Sequence, residues 1–126
     1  MKLLLDTHAF LYWSADNPRL PRRARIAIER PRTVACVSAA TIWEIRIKVA
    51  KGRLRTDFTN VVAEAQRHRF DVVPITGEHA QAAGDLPPHH DDPFDRMLIA
   101  QARAEAMTLV TGDNAFGDYG IPLLWD

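Results

Sequence analysis

The amino-acid sequence predicts an α/β fold in which a central, mostly parallel sheet of four to five strands lies between two layers of helices. Short apolar runs alternate along the chain with longer segments of helical periodicity, which implies crossover connections and a doubly wound sheet. The apolar runs are nearly continuous, as is typical of strands buried on both faces of a parallel sheet. The length of 126 residues is close to the commonest domain size, so we expect a single domain spanning 1–126.

The predicted strands are short and apolar. They cover Lys2–Leu5, Thr33–Val37, Asp71–Pro74, Thr108–Thr111 and Ile121–Leu124. The last one is expected at an edge of the sheet, because Pro122 has no N–H to donate to a strand ladder.

Helices are predicted between the strands from periodicity and from capping and breaking residues. They cover Thr7–Trp13, Pro21–Arg30, Ala39–Lys51, Asp57–His68, Gly77–Gly84 and Pro93–Ala106, with loops at Ser14–Pro21 and Asp85–Asp92. Pro21 suits the first turn of its helix, Ser38 is a natural N-cap and Gly52 is a natural stop. Asp92 is placed to cap the last helix.

The composition is that of an ordinary globular protein, with 47% hydrophobic and 25% charged residues, and it argues against disorder. The single cysteine, Cys36, excludes an intrachain disulfide and favours a reducing, cytoplasmic setting. Its apolar neighbours indicate a buried side chain. The run Leu3–Leu5 is too short for a signal peptide, and no stretch approaches the roughly 20 apolar residues of a membrane span, so no membrane partner is expected.

The formal net charge is zero, but the charge is distributed unevenly. Between Arg19 and Arg55, eleven basic residues accompany only two acidic ones, a net charge of +9 that the rest of the chain balances. Such asymmetry can form a basic rim around an acidic site. The same residues could equally lie on solvated helix faces.

Four acidic residues are candidates for one shared site. Asp6 directly follows the first predicted strand and Asp113 lies just past the fourth. The carboxyl ends of parallel strands meet at one edge of a sheet, which is where such folds bind ligands. Asp95 lies in the first turn of the helix that leads to the fourth strand, and Glu44 lies among apolar residues about two turns into its helix.

Each acid also has a structural alternative. Asp6 could cap the first helix, and Glu44 could pair with Lys48 at i,i+4. Asp95 could serve merely to complement the helix dipole, and Asp113 could be an ordinary turn residue. The joint pattern favours a site, because four converging carboxylates would repel one another by several kcal/mol without a cation. Oxygen ligands select Mg²⁺ or Mn²⁺, and such ions suit phosphodiester hydrolysis.

At these residues the chain resembles the PIN-domain family, and more narrowly the VapC-type toxins of bacterial toxin–antitoxin pairs. The resemblance spans essentially the whole chain. The matching segments are Leu3–His8, Ser38–Ile45, Asp92–Ala102 and Leu109–Asp113, together with Tyr119–Ile121 and Trp125.

The resemblance implies a three-layer α/β/α fold, a Mg²⁺ cofactor with Mn²⁺ as a substitute, and endoribonuclease activity on RNA as a toxin. Asp6 and Asp95 would be the principal metal ligands, and Glu44 and Asp113 would complete the catalytic site directly or through water. The family also implies a homodimer, and inhibition by a small antitoxin whose C-terminal segment enters the active-site groove.

Supporting roles are expected for residues beside the acids. Thr7 and Thr111 would orient carboxylates from outside the ligand set. Arg96 could steady a carboxylate or a phosphate, or lie at the surface. Gly112 departs from the family pattern, because relatives often have arginine there, and this puts a local RNA or antitoxin contact in question. Asp118 is more typical of a loop acid than of an auxiliary ligand.

The remaining polar and aromatic motifs favour structural roles. The His89–Asp92 segment lacks a second ligand pair for zinc and is expected to shape the loop that carries Asp95. His8 could touch RNA or pack. The tryptophans are expected in the core or at a dimer interface rather than stacked on bases; they are Trp13, Trp43 and Trp125.

Two other functional classes fit the pattern less well. A phosphatase or phosphotransfer domain would need a second aspartate two positions after Asp6, where this chain has His8. A non-catalytic module could use the basic segment to hold RNA. The presence of all four acids speaks against such a degenerate site.

Overall fold

The centre of the structure, a computed structural model that describes residues 1–126, is a five-stranded parallel sheet. The strands are β1 (Lys2–Leu5), β2 (Val34–Ser38), β3 (Asp71–Val73), β4 (Thr108–Val110) and β5 (Leu123–Leu124). They lie in the order β3-β2-β1-β4-β5, and every neighbouring pair is parallel. The central strand, β1, is completely buried at Leu3, Leu4 and Leu5, which explains its unbroken apolar run.

Helices cover both faces of this sheet. They are α1 (Thr7–Ser14), α2 (Arg22–Glu29), α3 (Ala39–Ala50), α4 (Val61–Arg67), α5 (Gly77–Asp85) and α6 (Pro93–Ala104), and a 3₁₀ helix covers Asn114–Tyr119. On one face, Leu3 and Leu5 pack with apolar residues of α1 to α4. On the other face, Leu4 and Cys36 pack with α6 and the 3₁₀ helix. The predicted three-layer α/β/α arrangement and the burial of Cys36 are confirmed.

Some predicted boundaries are wrong for local reasons. Helix α4 begins at Val61 rather than at Asp57, because the Asn60 side chain accepts a hydrogen bond from the Ala63 N–H at 2.9 Å and caps the helix there. Pro21 is the N-cap of α2 rather than part of its first turn. The other helix ends and the strand ends of β1 to β4 differ from prediction by about one or two residues at most.

The C-terminal part of the chain differs most from the prediction. Strand β5 holds only Leu123 and Leu124 instead of starting at Ile121, although its edge position is confirmed. The 3₁₀ helix before it was not predicted. It begins where the Asp113 side chain accepts a hydrogen bond from the Ala115 N–H, and it ends at Gly120, whose φ of 69° is left-handed.

The order of the strands positions the candidate acids. Helix α1 starts directly after β1, α3 starts directly after β2, and the chain leaves β4 towards the 3₁₀ helix at the same edge. Side chains at these three exits therefore meet above β1 and its neighbours.

None of the helices combines the length and the apolar character that crossing a membrane requires.

Candidate metal centre

Asp6 lies at the exit of β1 and is almost completely buried. Its backbone N–H donates to the Val110 carbonyl, which continues the pairing of β1 with β4. One carboxylate oxygen, Oδ1, accepts a hydrogen bond from the Ala9 N–H at 2.8 Å and caps α1. Burial raises the pKa of Asp6, while hydrogen bonds from Thr111 and Ala9 oppose the rise. The carboxylate is thus both a helix cap and a buried ionisable group.

Glu44 lies on the buried face of α3, with 4% of its surface exposed. The Thr7 hydroxyl donates to Oε1 at 2.5 Å, and the Lys48 ammonium lies 2.6 Å from Oε2. The predicted alternative of an i,i+4 pair with Lys48 is therefore present, but the carboxylate end of that pair is buried. Removing a carboxylate from water costs free energy that an ordinary surface ion pair does not incur. The burial therefore indicates that Glu44 lies in the interior of the candidate site.

Asp95 lies in the first turn of α6, where Asp92 acts as the N-cap and accepts hydrogen bonds from the N–H groups of Phe94 and Asp95. Burial raises the pKa of Asp95 to about 7, and the negative charge of Asp92 adds to the rise. The charges of Glu44 and Asp6 raise it further, while His90 opposes them. A carboxyl group with this pKa lies among like charges that water does not fully screen.

Asp113 lies just past β4 and is about half exposed, so it forms the open side of the site. Its Oδ1 caps the 3₁₀ helix, and its N–H donates to the Thr111 hydroxyl at 3.0 Å. Its Oδ2 lies 3.5 Å from Nε2 of His90, and the same nitrogen lies 3.1 Å from Oδ2 of Asp95. Asp113 therefore caps the 3₁₀ helix, rather than being an ordinary turn residue, and also lies at the site.

The four acids predicted from the sequence approach one another at one edge of the sheet. The ligand-type atoms of His90, Asp95 and Asp113 all lie within 4.8 Å of one another. Asp6 and Glu44 lie outside this tight group, yet their charges act on Asp95, and the charge of Asp113 acts on Asp6. The acids thus share one electrostatic environment, and Asp95 lies at its centre.

The three residues expected to support the acids differ in what they contact. Thr7 donates to Glu44, and the Thr111 hydroxyl lowers the pKa of Asp6 by hydrogen bonding, so both lie beside carboxylates. Arg96 forms no ion pair. Its guanidinium donates instead to backbone carbonyls of the loop between α5 and α6 and of the α5 end before it, at Ala83, Gly84, Leu86, Pro87 and His90. This position differs from the carboxylate or phosphate contact expected from the sequence.

His90 is a residue of this site that sequence reasoning did not select. The His89–Asp92 segment was interpreted as shaping the loop before Asp95, which agrees with the contacts of Arg96, but the contact of His90 with two acids was not foreseen. Its sequence neighbours carry no signal for it, because the contact with Asp113 joins residues from two separate loops.

A cleft lined by three cations and three acids adjoins the acidic site. Its volume is about 340 Å³, and three cations from the end of α3 and the turn that follows lie on its wall beside Glu44. The cations are Lys48, Lys51 and Arg53. Other residues of the basic segment are used elsewhere: Arg25 pairs with Asp16 at 2.9 Å. Only part of the +9 charge predicted as a rim therefore faces the site.

The three tryptophans have different surroundings. Trp13 is partly buried against the core, and its indole N–H donates to His68 at 3.2 Å. Trp43 is 63% exposed and meets the ring of Phe94 edge-on at 5.5 Å, so core packing is wrong for this residue within the single chain. Trp125 is partly buried and lies against Gly112.

The indole of Trp125 leaves no room for a side chain at position 112, which explains the glycine there. A Cβ atom on Gly112 would lie 2.8 Å from Cε2 of Trp125 and 2.9 Å from its Nε1. Any side chain at this position would have to displace the indole.

His8 is exposed, and Asp118 is exposed on the 3₁₀ helix, so neither is buried in the acidic site.

The donor set fits a hard divalent cation. It consists of carboxylate oxygens, and two of the four acids, Asp6 and Glu44, are almost fully buried. Burial raises the pKa of Asp6 and of Asp95. Asp6 and Asp95, with Glu44 and Asp113, are the residues that would hold such an ion, because oxygen ligands match Mg²⁺ or Mn²⁺. A doubly wound parallel sheet with clustered carboxylates at its carboxyl edge is the arrangement of a metal-site protein of the α/β class.

Comparison with known proteins identifies the family. The PIN domain family matches residues 3–122, nearly the whole chain, so the protein belongs to the PIN domain family. Ribonuclease VapC22 of Mycobacterium tuberculosis is 31% identical over 126 residues, covering 95% of this chain and 93% of the relative. The family resemblance inferred from the sequence motifs is confirmed.

Solved structures share the fold at low identity. The VapBC2 complex of Rickettsia felis, bound to a DNA fragment from its promoter, includes a chain with a TM-score of 0.73 and 18% identity, with 100% of both chains covered. The DNA-bound VapBC complex of Salmonella typhimurium gives a TM-score of 0.69 and 22% identity, covering 98% of this chain and 97% of the other. These likenesses support the three-layer fold.

Proposed function

We propose that the protein is a divalent-metal-dependent endoribonuclease that hydrolyses RNA phosphodiester bonds as the toxin of a toxin–antitoxin pair. The observation that carries the proposal is the gathering of Asp6, Glu44 and Asp113 around Asp95, whose pKa is raised to about 7 by burial and by neighbouring charge. A site that holds this much negative charge away from water suits a cation beside a phosphate.

The chain's own residues would hold and orient the reacting groups. Asp6 and Asp95 are proposed as the principal ligands, with Glu44 and Asp113 binding directly or through water. Thr7 holds the Glu44 carboxylate by its hydroxyl, and so restricts the rotation of that side chain. When bound, Mg²⁺ or Mn²⁺ supplies an activated water and neutralises charge on the phosphoryl oxygens.

The cleft beside Glu44 is the proposed path of the RNA backbone into the site. Lys51 and Arg53 line it without an acidic partner, whereas Lys48 is paired with Glu44. Free cations beside an acidic centre would hold phosphates on either side of the scissile bond, and binding through them is sensitive to salt. Contacts with phosphates carry no sequence information, so the choice of the cleaved RNA sequence depends on contacts with the bases.

The toxin role and the partners are proposed from the relatives. The relative VapC22 is named a ribonuclease, and the structural neighbours come from VapBC complexes. A groove of about 690 Å³ runs beside α1 and combines apolar residues with three arginines and two acids, Asp57 and Glu64, of which Glu64 is paired with Arg67. It is lined in part by Leu11, Leu54, Phe58, Arg19, Arg55 and Arg67. We propose that a small antitoxin occupies this groove with an amphipathic, partly acidic segment, and that the toxin forms a homodimer.

Purified protein incubated with RNA, with and without EDTA, tests the proposal. We expect Mg²⁺- or Mn²⁺-dependent internal cleavage that Asp6→Asn and Asp95→Asn abolish without unfolding the chain, because each replaces an anionic ligand with a neutral group of the same shape. Asp118→Asn is the matched control, since it removes an exposed acid from outside the site. RNA binding without metal-dependent cleavage would favour a non-catalytic module, and undiminished turnover in either variant would refute the site assignment.

A further inference from the structure

The loop between α5 and α6 presents one imidazole to the acidic site, and its surroundings fix how that ring is placed. The N–H of Asp92 donates to Nδ1 of His90 at 3.2 Å. Because Nδ1 is an acceptor, the proton of the neutral ring lies on Nε2. That nitrogen faces Oδ2 of Asp95 at 3.1 Å and Oδ2 of Asp113 at 3.5 Å.

This tautomer argues against His90 as a metal ligand. A histidine that binds a metal through one nitrogen usually donates the N–H of the other nitrogen to an oxygen acceptor. Here the other nitrogen meets an N–H donor, so a metal on Nε2 would leave two N–H groups facing each other at Nδ1. The neutral ring therefore presents its Nε2–H side, rather than a metal-binding lone pair, to the carboxylates.

The loop that carries His90 is fastened firmly enough to hold this orientation. The Arg96 guanidinium donates to the His90 carbonyl at 3.1 Å and to the Pro87 carbonyl at 3.0 Å. The Tyr119 hydroxyl donates to the same Pro87 carbonyl at 2.8 Å. The His90 ring also lies 5.5 Å from the ring of Phe116. The donor is thus prearranged by contacts from α6 and from the 3₁₀ helix.

We propose that His90 is a positioning residue of the metal centre. Its Nε2–H lies between one carboxylate from α6 and one from the β4 exit, at 3.1 Å and 3.5 Å from their Oδ2 atoms, and its attraction to both holds them at the spacing a divalent cation requires. This inference rests on the proposed metal-dependent nuclease and deepens it. Each carboxylate has lone pairs beyond the one that faces His90, so this contact leaves ligand positions free. Hydrogen-bond partners of metal ligands commonly change metal affinity by about 10- to 100-fold when removed.

The test measures binding of Mn²⁺ alone to the full chain by isothermal titration calorimetry. We expect His90→Ala and His90→Phe to weaken Mn²⁺ affinity by about 10- to 100-fold, because both lack the donor while phenylalanine keeps the ring packing. His90→Gln should recover most of the affinity, since its amide can donate from a similar distance along the side chain. His89→Ala is the matched control, because His89 is exposed and lies against Tyr119 at 5.2 Å, outside the acidic site.

Several outcomes would overturn the inference. Unchanged or tighter Mn²⁺ binding by both donor-free variants would mean that His90 is neutral or competes with the ion. A directly coordinated ¹⁴N signal in pulsed electron paramagnetic resonance of the Mn²⁺-loaded chain would make His90 a ligand instead. If the unmodified chain bound Mn²⁺ but did not cleave RNA, the proposed function would fail while the role of His90 stood. Absence of Mn²⁺ binding by the unmodified chain would overturn both.

Discussion

The raised pKa of Asp95 predicts that replacing this acid with asparagine stabilises the metal-free protein. The pKa of about 7 in the folded chain compares with about 3.9 for an unfolded aspartate, and a difference of about three units corresponds to at most about 4 kcal/mol. The side chain is 22% exposed, and solvent screening reduces the cost. We therefore expect Asp95→Asn to raise the free energy of unfolding by about 1–3 kcal/mol at pH 8.

The pH dependence of this gain follows from proton binding. Because the pKa of Asp95 is raised, the folded chain binds more protons than the unfolded chain between about pH 4 and pH 7. The stability of the unsubstituted protein therefore falls as the pH rises through this window. The advantage of Asp95→Asn should be near zero at pH 4 and should reach its full value above pH 7.

Urea unfolding in EDTA at several pH values measures this prediction, with Asp118→Asn as the control for loss of an exposed acid. Saturating Mg²⁺ should reverse the ranking at pH 8, because a ligand that binds only the folded wild-type chain stabilises it by mass action. A destabilised Asp95→Asn variant at pH 8 in EDTA would show that the carboxylate contributes as a helix-dipole group. A gain of equal size at pH 4 and pH 8 would also refute the electrostatic reasoning.

Three further predictions concern the surroundings of the site. Lys48→Met should lower the free energy of unfolding by about 1–3 kcal/mol in metal-free urea titrations, because it leaves the buried Glu44 carboxylate without its cation; an unchanged midpoint would contradict the pairing. Arg53→Glu, placed in an Asp6→Asn background that prevents cleavage, should weaken RNA binding in fluorescence anisotropy and reduce the slope of log K against log salt by about 0.7 or more; a flat salt response in the parent would show that the cleft does not meet phosphates. Gly112→Ala should shift the tryptophan emission, because its Cβ would displace the Trp125 indole; an unaltered spectrum would argue that the indole does not pack there.

The sheet and most of the helices could be predicted from the sequence, because their signals are local. The apolar run of β1 reflects burial on both faces, and the Ser38 and Asp92 caps mark the starts of α3 and α6. The start of α4 was missed because Asn60 competes successfully with Asp57 as the cap. The 3₁₀ helix was missed because short 3₁₀ segments carry no periodicity that could be distinguished from a turn.

The candidate site was predicted where its residues follow the strand order, and it was missed where contacts cross between loops. Asp6 and Asp113 come directly after neighbouring strands, so their proximity follows from the parallel topology. The contact of His90 with Asp113 depends on two loops that differ in length and cap geometry, and no spacing rule predicts it. Arg96 was expected beside a carboxylate, but its guanidinium satisfies loop carbonyls that would otherwise lack donors.

The pairing of β1 with β4 joins opposite ends of the chain: Leu3 aligns with Thr108, and the Asp6 N–H donates to Val110. During synthesis on the ribosome, a nascent chain exposes Asp6 long before the segment that carries Asp113 has been made. The complete set of carboxylates cannot assemble until the segment that carries Asp113 has emerged. An activity built on this topology would therefore stay latent until that late segment has left the ribosome and paired with the first strand.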